Sequence, residues 1–144
     1  MTIKNISRLL GMIESTIIEW KQSLYEIDEI IETAAAFANT ESGRIFIGIS
    51  PENKILGVQI GKGTIEKLVN QIAQHTDPKL HPKVIVNKID GKDVVVIEVK
   101  ESHDHLVLAF GRPYKRVGRS TVKMSKDEYE RLILEKHKSR LYFD

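Results

Sequence analysis

Asp90-Gly91, set between the β-rich runs 84–89 and 94–99, constrains the fold of this chain more than any other pair of residues. Both central positions of a type I′ turn need positive φ, which Asp and Gly tolerate, so the two runs are expected to pair as an antiparallel hairpin. Other strands are expected at 16–22, in the continuous apolar run 45–49, at 54–59 after Pro51-Glu52-Asn53, and at 113–117 and 121–123 around Gly118. Helical spacing of Ile27, Ile30, Ile31, Ala34 and Ala38 predicts a helix over 25–39 with its acids on the opposite face. A second helix is predicted over 64–75 behind a Thr64 N-cap, and a terminal one behind the capping box Ser125-Lys-Asp-Glu128. A short helix is expected over 3–12, before Gly11. The order reads as an α+β fold: one domain over residues 1–144, a mixed, mostly antiparallel β-sheet with helices packed on it.

Composition agrees with a chain that folds without covalent staples. Of 144 residues 41% are hydrophobic and 29% charged, which excludes a disordered chain, and no apolar stretch suits a membrane span. Cysteine is absent, which removes disulfides, thiolate nucleophiles and cysteine-ligated zinc. With no signal peptide legible at the start, the expected location is the cytoplasm. The net charge of +2 hides a separation of signs. Between positions 14 and 41 seven acids face Lys21 alone, whereas between 111 and 126 six bases (Arg112, Lys115, Arg116, Arg119, Lys123, Lys126) stand without an acid. Such a split fits a polyanion-binding surface; it also fits a solvated basic strand beside an acidic helix.

Glu14, Glu19 and Lys21 surround the first short apolar run. On a strand Glu19 and Lys21 project from one face, where they can hold a divalent metal and a phosphate or form a simple ion pair. Arg112, Tyr114 and Arg116 would likewise share a strand face, offering guanidinium groups to phosphates and a ring to a base. The run Gly57 to Thr64 fails as a phosphate loop, because its glycines are one residue too close and Gly63 separates Lys62 from Thr64. His103-Asp-His105 falls in an expected loop with no cysteine nearby, a pattern that is usually not a metal site. No Gly-x-Ser-x-Gly or His-Glu-x-x-His motif occurs, so the corresponding hydrolase classes drop out.

Several segments, taken in order, carry a family likeness. Glu14-Ser-x-x-Ile-Glu19-Trp-Lys21-Gln-Ser-Leu, Ala35-Ala-Phe-Ala-Asn39-Thr-x-Ser-Gly43, Ile47-Gly-Ile49, Ile55-Leu-Gly57-Val and Pro113-Tyr-Lys-Arg116-Val-Gly118-Arg-Ser-Thr121 together resemble the Schlafen-type AlbA-like domain. The resemblance implies a mixed α/β fold and DNA or RNA binding, as in prokaryotic regulators. Some relatives cleave RNA, and in them it would make Glu14 and Glu19 metal ligands, with a third acid after the second strand. Here Ser50-Pro51 stands in that place and the nearest acid is Glu52.

The leading expectation is therefore a nucleic-acid-binding domain, acting in transcriptional regulation or defence, whose contacts are Lys21, Arg112, Tyr114, Lys115, Arg116 and Arg119. It needs no cofactor, has no membrane partner, and can form a homo-oligomer. The alternative is a metal-dependent endoribonuclease with Glu14, Glu19 and Glu52 holding Mg²⁺ or Mn²⁺ and Lys21 stabilising charge. A third reading is an oligomerisation or partner-docking domain.

Overall fold

The structure is a computed structural model that describes the backbone of residues 18–143 and the side chains of residues 18–136. The Asp90-Gly91 hairpin forms as the sequence demands: β4 (Lys83–Ile89) and β5 (Lys92–Val99) pair antiparallel through Ile89 and Lys92, with φ of 52° at Asp90 and 76° at Gly91. Beside β5 lies β2 (Gly43–Ile47), antiparallel, and beside β2 lies β1 (Ile18–Lys21), parallel, giving a first sheet in the order β1-β2-β5-β4. Parallel neighbours need a crossover, and α1 (Ile27–Thr40) supplies it.

Residues 54–59, expected as a strand, do not join the ladder; a single bridge links Ile49 to Ile55. The chain instead crosses the end of the sheet. Gly48 accepts the Leu56 and Gly57 amides at 2.8 and 2.9 Å through its carbonyl, and Val58 donates to Asp93 at 2.9 Å. Gly48 has φ of 110°, and a Cβ there would meet the Gly57 backbone at 3.2 Å, so no side chain fits this crossing.

The second sheet is antiparallel, in the order β3-β6-β7-β8: β3 (Thr76–Asp77), β6 (Leu108–Ala109), β7 (Arg112–Val117) and β8 (Ser120–Lys123). Helix α1 is covered on several sides, which is why it carries an alanine run. From Thr33 to Ala38 every residue is buried, and the helix contacts β2 and β5 of one sheet and β6, β7 and β8 of the other. Small residues let both layers approach, while Ile30, Ile31 and Phe37 fill the spaces around them. The opposite face of the first sheet holds a second cluster, in which Trp20 and Phe46 meet edge to face at 5.2 Å between ring centroids.

Helix α2 (Thr64–Gln74) buries Leu68 and Ile72, with Ile65 packed against the same cluster. Its N-cap is Gly63 at φ 81°, one residue earlier than expected; the Thr64 hydroxyl accepts the Gly61 amide at 2.9 Å instead of capping the helix. The terminal helix α3 (Lys126–Phe143) starts where the capping box places it, with Ser125 Oγ accepting the Glu128 amide at 3.2 Å. The helix expected over 3–12 lies outside the described residues. Among the described residues no helix is long and apolar enough to cross a membrane.

Candidate functional site

Alternation along β1 sends Ile18 and Trp20 into the second cluster and turns Glu19 and Lys21 to the other face. There the two side chains stand 3.7 Å apart, Glu19 Oε2 to Lys21 Nζ, and Lys21 also reaches Glu29 on α1 at 3.2 Å. The pairing of Glu19 with Lys21 holds, but its main cation comes from elsewhere. Arg116 of β7 donates from Nη1 to Glu19 Oε1 at 2.7 Å, and its side chain is wholly buried. The same Nη1 donates to Thr121 Oγ1 at 3.0 Å, and Thr121 Oγ1 is hydrogen-bonded to Thr33 Oγ1 of α1, also at 3.0 Å. The Arg116 guanidinium carbon lies 4.8 Å from the centre of the Phe37 ring. One buried polar cluster thus ties the edge of the first sheet to α1 and the second sheet.

The Ala-Phe-Ala-Asn-Thr segment has a mechanical role in the same place. At the end of α1, Asn39 Nδ2 donates to the carbonyls of Val107 and Tyr114 at 2.8 and 2.9 Å, and its Oδ1 accepts the Val107 amide at 2.7 Å. Thr40 Oγ1 accepts the Arg116 amide at 3.0 Å, and Ser42 Oγ accepts that of Glu101 at 3.0 Å. The helix end is therefore stitched to the second sheet and to the chain leaving β5. At Gly43 a Cβ would stand 2.3 Å from two carbons of the Phe37 ring, which explains the glycine.

The basic strand divides into buried and exposed halves. Arg112, Tyr114 and Arg116 do alternate onto one face of β7, but that face looks toward α1. Contrary to the expectation of surface contacts, Arg116 is sealed in its ion pair and Tyr114 is buried. Tyr114 donates its hydroxyl to Glu32 at 3.2 Å. Burial first, and the Glu32 carboxylate after it, raise the phenol pKa above its ordinary 10.0, while Arg112 opposes the rise. Lys115, half-buried, is held by Glu128 at 2.7 Å and anchors the start of α3. Arg112 and Arg119 are exposed, and Lys123 and Lys126 join them on the exposed ends of the β7–β8 hairpin and its continuation. Val117 and Val122 lie bare among these cations.

The carboxylate site is only partly in view, since Glu14 lies outside the described residues. Glu52 is exposed in the turn after Ile49, and among the described residues no three His, Cys, Asp or Glu side chains are placed to hold a metal ion. A cation approaching Glu19 Oε1 would compete with a guanidinium at 2.7 Å. The donor set that is visible fits a structural ion pair better than a metal cradle. His103 and His105 are exposed, each beside an acid, Glu101 at 3.7 Å and Asp104 at 3.8 Å. Sequence reasoning missed Glu29, Thr33 and Thr121, whose part in the cluster depends on how α1 and β8 meet.

Two sheets clamped around a central helix, with an ion pair joining them through β1 and β7, define the chain as an α+β domain. The sequence profile of the Schlafen, AlbA_2 family matches residues 14–125, and the chain belongs to that family. Among solved structures it is similar to the DIP2311 protein of Corynebacterium diphtheriae, with 18% identity and a TM-score of 0.68 over 90% of this chain. The chain spans 27% of that protein's length. It is also similar to the N-terminal domain of a Nitrosomonas europaea protein that bears the name "Putative ATP-dependent DNA Helicase RecG-related Protein". There the identity is 24% and the TM-score 0.62, covering 85% of this chain and 92% of the other. No curated protein matches the sequence.

Proposed function

We propose that this domain binds nucleic acid through phosphate contacts made by the β7–β8 hairpin, with Arg112, Arg119, Lys123 and Lys126 as the contacting cations. The observation that carries this reading is the exposure of those four side chains on a segment that contains no acid. Arg116 and Lys115 are tied to Glu19 and Glu128, whereas these four are exposed, Lys126 with Glu130 4.0 Å away and Arg112 beside Tyr114. A flexible cation next to a phosphate displaces condensed counterions, which makes binding strongly salt-dependent. The similarity to a domain of a protein whose name is helicase RecG-related supports the same direction.

The test is a salt titration of binding to single-stranded and duplex oligonucleotides, DNA and RNA, followed by anisotropy. Arg119→Ala and Lys123→Ala should each lower the slope of log affinity against log salt by about 0.7–0.9 and weaken all sequences alike. Arg116→Met, which removes a buried charge, should leave the slope unchanged in the protein that remains folded. No binding by the intact domain at low salt would overturn the reading and favour a docking or oligomerisation role.

A further inference from the structure

A concavity of about 650 Å³ opens where β1 runs into α1 and faces α2. That size falls in the roughly 300–1,000 Å³ range of sites for small organic groups. Its lining combines apolar residues, among them Ile27, Val58 and Leu68, with three glutamines, Gln22, Gln59 and Gln71. Among the described residues that line it, Lys67 is the one cation and none is an acid. Tyr25 is among the lining residues and is 99% exposed. An aromatic ring left fully in water forgoes the burial that usually stabilises such a residue.

The backbone that carries Tyr25 is held in place. Its own amide donates to Ser23 Oγ at 2.8 Å, the Gln22 amide donates to the Glu26 carboxylate at 3.0 Å, and the Glu26 amide donates to the Ser23 carbonyl at 3.3 Å. These three bonds fix the turn that presents the ring. The turn begins one residue after Lys21, whose ammonium lies 3.7 Å from Glu19, the partner of Arg116 on β7.

We infer that this concavity receives one unstacked base of a single-stranded nucleic acid, an inference that rests on the proposed nucleic-acid reading. A carboxamide presents a donor and an acceptor side by side, the pattern needed to pair with a base edge. The Tyr25 ring offers a stacking platform, Lys67 holds the phosphate of the same nucleotide, and the apolar lining excludes water from the ring's far edge. A phosphate-only surface would use neither the ring nor the amides.

The test compares an ordinary single-stranded oligonucleotide with an abasic strand of equal length and charge, by anisotropy at fixed salt. The intact domain should bind the base-bearing strand about tenfold tighter. Tyr25→Ala should remove that preference and leave abasic binding unchanged, Tyr25→Phe should restore it, and Gln71→Leu should narrow discrimination among the four homopolymers. Arg119→Ala should weaken both strands equally. Because Tyr25 is fully exposed, its substitution leaves the fold intact, which circular dichroism checks. Equal affinity of the intact domain for both strands overturns the base site while keeping the phosphate surface. Retained preference in Tyr25→Ala also overturns it, and absence of binding to either strand overturns both readings.

Discussion

Arg116 shows how far a residue's role depends on what lies opposite it. In the sequence it is one of six bases in a row without an acid, indistinguishable from Arg119. In the fold it is sealed against Glu19 at 2.7 Å, a partner 97 positions away in the chain that no local pattern points to. Removing one member of such a pair strands the other in a desolvated site, so Arg116→Ala should destabilise the domain by about 3–5 kcal/mol in urea unfolding. The double substitution Glu19→Leu with Arg116→Met should be tolerated markedly better than either single change. A single mutant within about 1 kcal/mol of the parent would contradict this account. Tyr114 gives a pH prediction. Its folded-state pKa lies above the unfolded 10.0, so the folded state holds its proton longer and the associated stability is complete below pH 10.0. That stability is lost as pH rises through the folded value, and Tyr114→Phe should flatten the alkaline decline in melting temperature.

Among the elements, α1 was the most legible and the least understood from sequence. Its apolar periodicity and its length come directly from the spacing of Ile27 to Ala38, and the structure returns nearly the same limits. What periodicity could not supply is that both flanks of the helix are covered, because the second layer comes from strands seventy and more positions later. Asn39 belongs to the same class. It reads as a helix-ending polar residue but makes three hydrogen bonds to the backbone around β6 and β7. Asn39→Ala would leave those backbone groups buried without partners, and a loss of about 2–4 kcal/mol is expected by urea unfolding. Asn39→Asp, which keeps the acceptor for Val107 but loses both donors, should also destabilise. The β4–β5 hairpin was fully legible, because turn chemistry is local; the stretch 54–59 was not, because its pairing with Gly48 and Asp93 is set by the end of a sheet.

At the scale of the whole molecule, two four-stranded sheets share one helix, so the larger apolar cluster between them is buried only with α1 in place. Unfolding should accordingly be a single transition, with far-ultraviolet and Trp20 fluorescence signals coinciding in urea. Two separated transitions would mean that the sheets are stable apart. The α+β class and the family were readable in ordered motifs, whereas the partition of the basic segment into structural and exposed cations required the fold. One contact chain crosses the entire domain. The absent methyl group at Gly43 makes room for one edge of Phe37, the Phe37 ring supports the Arg116 guanidinium, and Arg116 in turn fixes the Glu19 carboxylate. A hydrogen atom at the mouth of β2 therefore acts as a spacer for an ion pair on another strand. Enlarging that glycine should register first as a misplaced charge, before any strand is lost.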